Sequence, residues 1–210
     1  MITIWCSHKS NGARLLVNKI KEMGHEAQLL VGGVRPRDAI WWGRGGGNKY
    51  RELQQLHNAG IPVPPHSLLP REGWLRRSFT HMGARDLLRG TGRDFYVQRL
   101  DIDMEFRFHI FNGLSIRRQF KEPRLPEYHP WIRSWKSGWK LTPGGPATRD
   151  MRIAAVRAVE AVGGYLFGAV DIGRLVGGGF VVLEVNTRPG IEGSTVIQYA
   201  KAVIEYAKNH

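Results

Sequence analysis

Two runs in which apolar and polar residues alternate, 105–111 and 114–120, meet at Asn112-Gly113. Alternation with a period of two makes a half-buried strand, and Asn-Gly between two such runs is the strongest short-range signal for a tight hairpin. Once that turn is set the register is set, and Glu105, Arg107 and His109 share one face. A second strand pair is expected at 165–172 and 180–185, joined by a glycine-rich turn. The chain is therefore built around antiparallel pairing in its second half.

The first half reads differently. An apolar strand at 2–6 precedes a helix that Ser10 caps, with Leu15, Leu16, Ile20 and Met23 at helical spacing and Gly24 as its stop. Strands at 27–31 and 38–43 follow, which makes a small α/β unit. The run Gly43-Arg44-Gly45-Gly46-Gly47-Asn48-Lys49 resembles a phosphate loop only superficially, because Asn48 precedes the lysine and Tyr50 stands where Ser or Thr must hold magnesium. It is expected to be a loop into a helix over 50–59, ended by Gly60. Ile61-Pro62-Val63-Pro64-Pro65-His66 must be extended, since proline disfavours helix in the residue before it. Further helices are expected at 84–89, 149–162 and 195–208. Residues 121–148, with five prolines and three tryptophans and no period, read as a long ordered loop.

Charge adds a constraint on partners. The chain carries 31 Lys and Arg against 18 Asp and Glu, a net +13. The excess lies in residues 1–157, while residues 158–210 hold 4 basic and 5 acidic groups. Either a polyanion lies along the basic surface or a smaller anion sits between the two parts. A hydrophobic fraction of 42% argues against disorder, and the lone Cys6 has neither a disulfide partner nor a CxxC mate for zinc. The first residues lack the pattern of a secretory leader and no apolar run is long enough to cross a bilayer, so a cytoplasmic protein with no membrane partner is expected.

The densest chemistry lies near the C-terminus. Glu184 and Asn186 are two apart on a strand and point the same way, with Leu183 and Val185 expected to face the core. Asp171, thirteen residues earlier, is expected at the end of the paired strand, so that three oxygen side chains converge at one end of the hairpin. That set suits Mg²⁺, which takes one or two carboxylates and completes its shell with phosphate oxygens and water. The third ligand, a neutral Asn, limits repulsion of a triphosphate.

Asp171, Glu184 and Asn186, the last two within Leu-Glu-Val-Asn-Thr-Arg-Pro-Gly, resemble the C-terminal signature of ATP-grasp carboxylate–amine ligases such as D-alanyl-D-alanine ligases and the ribosomal-protein glutamate ligases. The resemblance covers about residues 48–205. It implies an α/β (α+β) ATP-grasp fold with a small N-terminal α/β unit at 1–65, a reduced lid subdomain at 66–97 and a C-terminal subdomain with the metal site at 98–210. It also implies ATP and Mg²⁺ as cofactors, with two ions shared by Asp171, Glu184 and Asn186 and Mn²⁺ as a substitute. Gln98, Arg99 and Leu100 resemble the hinge strand that meets adenine, and Glu105 the carboxylate that holds the ribose hydroxyls. Arg107, Arg118 and Lys121 resemble the cations of the phosphate and acyl-phosphate site, and Arg77 stands in the lid where the family usually has lysine, beside a single glycine at Gly83. The implied reaction is ATP-dependent amide or peptide-like bond formation through an acyl phosphate, from small-molecule or peptide carboxylate and amine substrates.

The basic segment 107–140, with 8 basic and 2 acidic residues, leaves a second reading open. In it the chain binds nucleic acid on an ATP-grasp scaffold, or the ligase modifies nucleic acid or a protein bound to it. Trp131, Trp135 and Trp139 recur at four-residue spacing, which reads as a hydrophobic face or, interleaved with Arg133, Lys136 and Lys140, as a stacking surface or substrate lid. His109 and Cys6 are expected to pack in the core.

Overall fold

The structure, a computed structural model, describes residues 1–43, 47–79, 94–130 and 132–210. Outside the described residues lie the expected helix at 84–89, the lid residues 80–83 with His81, the glycines at 45 and 46, and Trp131.

The N-terminal residues make β1 (Ile2–Cys6), α1 (Asn11–Glu22), β2 (Ala27–Val31) and β3 (Ile40–Trp41), a parallel sheet in the order β2-β1-β3. Ser10 caps α1 by accepting a hydrogen bond from the Ala13 amide at 3.3 Å, as its position before the apolar run predicts. Helix α2 (Lys49–Asn58) is capped in the same way by Asn48, which accepts from Arg51 N at 3.0 Å. The proline-rich stretch then runs extended into β4 (His66–Ser67), β5 (Trp74–Ser78) and β6 (Asp94–Gln98), a second sheet in the order β4-β6-β5.

The third sheet is the frame of the molecule. It comprises β7 (Ile102–Phe111), β8 (Leu114–Pro123), β9 (Trp139–Pro143), β10 (Phe167–Leu175) and β11 (Phe180–Asn186), antiparallel in the order β11-β10-β7-β8-β9. Asn112 (φ 47°) and Gly113 (φ 71°) make the β7–β8 turn, the left-handed pair that a two-residue hairpin requires. Along β7 the apolar residues Phe106, Phe108 and Ile110 face α3 (Arg149–Ala161) and α2 in one core, with Val170, Ile172, Val182 and Val185. Glu105, Arg107 and His109 occupy the other face. Part of that face is covered by α4 (Ser194–Lys208), which packs on α1 and joins the N-terminal core through Tyr199, Val203 and Ile204.

Residues 121–148 are not one irregular loop. They contain the end of β8, a 3-10 turn at Trp135–Ser137 and all of β9. β9 is held by pairing against β8, with Lys121 opposite Leu141, and such tertiary pairing overrides a weak local pattern. Of the expected tryptophan face only Trp135 and Trp139 are described, and these two do not share a side, because no α-helix runs through the stretch. Trp139 is buried against Tyr128, whereas Trp135 is exposed. Cys6 is buried in the N-terminal core as expected.

The N-terminal unit meets the segment after β11 without intervening side chains. At Gly43 (φ +102°) a Cβ would lie 1.9 Å from the Thr187 carbonyl oxygen. Gly43→Ala must therefore strain the backbone and part this contact, and it is expected to lower stability by about 2–4 kcal/mol in urea unfolding.

Candidate active site

A cleft of 1810 Å³ lies between the β4-β6-β5 sheet and the exposed face of the five-stranded sheet. Strand alternation decides what lines it. Asp171 is paired opposite Glu184 on one side and opposite Arg107 on the other, and Arg107 is paired with Gln119, so one row across four strands carries all of these toward the cleft. Asn186 follows Glu184 by two residues and also lines it.

A β-bulge modifies this row. The register shifts between Asp171 opposite Glu184 and Ile172 opposite Val182, which makes Leu183 the extra residue. Leu183 therefore turns to the cleft beside Glu184, rather than into the core as strict alternation predicts, while Val182 and Val185 stay in the core. β10 also runs four residues past Asp171, so the Asp171–Glu184 pair lies within the two strands, while Asn186 is the last residue of β11. Helix α2 fixes this strand from behind: the buried Glu52 carboxylate accepts from the Val185 amide at 2.8 Å.

The ionic contacts on the floor are close. Arg107 donates from Nε and Nη2 to the two oxygens of Asp171 at 2.6 and 2.7 Å, a bidentate pair. Lys121 Nζ bonds to Glu105 and lies 3.4 Å from Asp171. Asp171 is 5% exposed and Glu105 7%. Burial alone would raise the Asp171 carboxyl, but the charges of Arg107 and then Lys121 hold it well below the usual carboxylate range. For Glu105 the balance goes the other way: burial pushes it up, against the attraction of Lys121 and with the repulsion of Asp171. Lys121 is buried too, and the carboxylates of Asp171 and Glu105 hold its pKa above the ordinary lysine value.

The oxygen donors fit a hard divalent cation. A carboxylate offers about four lone-pair directions, and the bidentate Arg107 contact leaves Asp171 with acceptor capacity. Glu184 adds a second carboxylate and Asn186 a neutral oxygen. Among the described residues no three His, Cys, Asp or Glu side chains converge to hold a metal alone. Two carboxylates and an amide suit an ion whose remaining ligands come from phosphate and water, as Mg²⁺ prefers.

The other predicted residues divide. Arg77, Gln98, Arg99 and Leu100 line the opposite wall, together with the buried Lys49 at the start of α2. Arg118 does not line the cleft. It is paired with Phe108 on the reverse face of β8, where its Nε donates to the Gly144 carbonyl at 3.2 Å. Its neighbours Arg117 and Gln119 occupy the cleft side with Lys121. The rule that joined Glu105 to Arg107 finds them as well, since 117, 119 and 121 are successive same-face positions.

Solved structures share this architecture. The ATP-grasp ligase PsnB complexed with a phosphomimetic variant of its minimal precursor, Mg and ADP superposes with a TM-score of 0.69 at 12% identity, covering 97% of each chain. The chain has the ATP-grasp fold. The macrocyclase MdnC from Microcystis aeruginosa MRC, bound with precursor peptide MdnA, gives 0.67 at 9% identity over 98% of this chain and 100% of its own. D-cycloserine synthetase DcsG gives 0.64 at 14% identity over 98% and 99%. No protein-family model matches the sequence, and no curated protein matches it. Among the described residues no helix is long and apolar enough to cross a membrane.

On the same face of the sheet but covered by Tyr199 of α4, His109 is 1% exposed, and its Nε2 lies 2.8 Å from Gln119 Oε1. Burial, reinforced by the charge of Arg107, brings its pKa down to about 4. The unfolded chain takes up a proton near the ordinary histidine value and the folded chain resists until about pH 4. The unfolded state therefore binds more protons in this window, and stability falls as pH falls. Urea unfolding is expected to show a loss of about 1–2 kcal/mol from this residue between ~pH 7 and ~pH 5, absent in His109→Gln.

Proposed function

We propose that the chain is an ATP-dependent carboxylate–amine ligase that forms an amide or peptide-like bond through an acyl phosphate and releases ADP and phosphate. One observation carries the reading: Asp171, Glu184 and Asn186 lie on one face of paired strands with Arg107 and Lys121 beside them, in a cleft of the ATP-grasp fold. Phosphoryl transfer needs positioning and charge stabilisation rather than a protein nucleophile, and this floor offers cations and oxygen ligands.

Asp171, Glu184 and Asn186 would hold Mg²⁺, with Mn²⁺ as a substitute and Glu184 shared if two ions bind. Such ions neutralise phosphate charge and polarise the group in transfer. Arg107 commits two of its five N–H groups to Asp171, and the others would serve the transferring group, where fixed donors act without reorganisation. Lys121 screens the same charge from β8. The backbone of Gln98, Arg99 and Leu100 would meet adenine and Glu105 the ribose hydroxyls, with Arg77 reaching the phosphates from the facing sheet. The parts 1–65, 66–97 and 98–210 would act as substrate-side unit, lid and metal-bearing subdomain.

PsnB and MdnC are complexed with precursor peptides, which supports peptide carboxylates and amines within the substrate class. The nucleic-acid reading is less well supported. Trp139 is buried with Arg133 over its ring at 4.8 Å, and one face of the exposed Trp135 ring carries Arg124 at 4.0 Å, which leaves less aromatic surface for stacking on bases.

Glu184→Gln removes one ligand charge and keeps the shape. ADP release in the presence of pooled carboxylates and amines is expected to fall by about a hundredfold or more, with the thermal midpoint little changed. Turnover that survives the substitution contradicts the metal role. Retention on polynucleotide at low salt that falls steeply as salt rises, and is indifferent to Glu184→Gln, supports the nucleic-acid reading instead.

A further inference from the structure

Arg117, Gln119 and His109 lie on the cleft face of the sheet, yet the proposed mechanism uses none of them. Gln119 is 7% exposed and lines the cleft. Its Oε1 accepts from His109 Nε2, and an oxygen facing a ring nitrogen requires that nitrogen to carry the proton. The amide NH₂ of Gln119 is therefore the end left over, and it has no hydrogen-bond partner among the described residues. Arg117 also lines the cleft, two residues away on the same face. Its Nη2 donates to Ser194 Oγ at 2.8 Å, while its buried Nε has no partner among the described residues. Ser194 opens α4, a helix of 15 residues whose cap, Gly193, has no side chain to satisfy the first amides.

We propose that Arg117 and Gln119 form a subsite for a carboxylate of the substrate other than the one that is activated. The inference rests on the ligase reading for the use made of the bound molecule. Three kinds of donor meet there: a guanidinium, a primary amide and the first turn of a helix, whose dipole favours an anion. A carboxylate matches them better than a phosphate does. Arg117 supplies one positive charge, and the exposed Glu192 on the same wall opposes a second negative one. Nucleotide phosphates are provided for at Arg107, Lys121 and the oxygen ligands. His109 acts through Gln119, as a positioning residue that fixes which end of the amide faces the cleft.

The test is calorimetric titration of the full chain saturated with Mg²⁺ and AMPPNP, using succinate, succinamide and inorganic phosphate as probes. Succinate is expected to bind at millimolar concentration or below, and succinamide not to. Arg117→Gln and Gln119→Glu, the latter replacing the donor with a repelling charge of the same shape, are each expected to weaken succinate about tenfold or more, with AMPPNP affinity within about twofold of wild type. His109→Phe is expected to weaken succinate only where Gln119 is present and to add nothing in a Gln119→Met background, a coupling that a general loss of stability does not produce. Succinate affinity unchanged in Arg117→Gln, no succinate binding to the wild type, or tighter binding of phosphate than of succinate each overturns the proposal. Failure of AMPPNP to bind contradicts the ligase reading alone, and the same succinate titrations on nucleotide-free protein then decide the subsite.

Discussion

The bidentate pair between Arg107 and Asp171 is the interaction on which the site depends. It joins β7, the central strand of the five-stranded sheet, to its neighbour β10 at the row where Glu184 and Gln119 also lie. A buried carboxylate without a partner would be neutralised or expelled. With Arg107 and Lys121 beside it, the Asp171 carboxyl is held well below the usual carboxylate range and fixed on the cleft floor. The cost of burying these charges is spread over a cluster of two cations and two carboxylates, Arg107, Lys121, Asp171 and Glu105, rather than one pair.

The rest of the architecture serves that row. The reverse face of the sheet is sealed by α3 and α2, and α2 reaches through with Glu52 to hold the Val185 amide between the two candidate ligands. α4 begins at the cleft with Ser194 and then covers His109 with Tyr199, whose hydroxyl donates to the Gly168 carbonyl at 2.7 Å. The N-terminal unit presses Gly43 against Thr187, just after Asn186. Elements far apart in sequence thus converge on the backbone that carries Glu184 and Asn186.

Much of this was legible in the residues. The Asn-Gly hairpin and the Ser10 cap are local signals whose physics acts within a few residues, as does the two-residue spacing that puts Glu184 and Asn186 on one face. What escaped was non-local. The bulge at Leu183 depends on how β11 pairs with β10, and β9 depends on its partner β8, since proline-rich sequence with no period carries no strand signal of its own. Arg118 lies on the reverse face because a strand turns alternate residues to opposite sides, so the side that carries Lys121 carries Arg117 and Gln119. Part of the net charge of +13 has a definite place: several of the cations line the same cleft as Asp171, Glu184 and Asn186.

The central claim is that these oxygen ligands receive a divalent ion together with a nucleotide. Anomalous diffraction from crystals grown with Mn²⁺ and AMPPNP tests it most directly. The account predicts an anomalous peak within bonding distance of Glu184 and of Asp171 or Asn186, with the triphosphate on its other side. Nucleotide bound in the cleft with no such peak, or a peak away from all three residues, would contradict it.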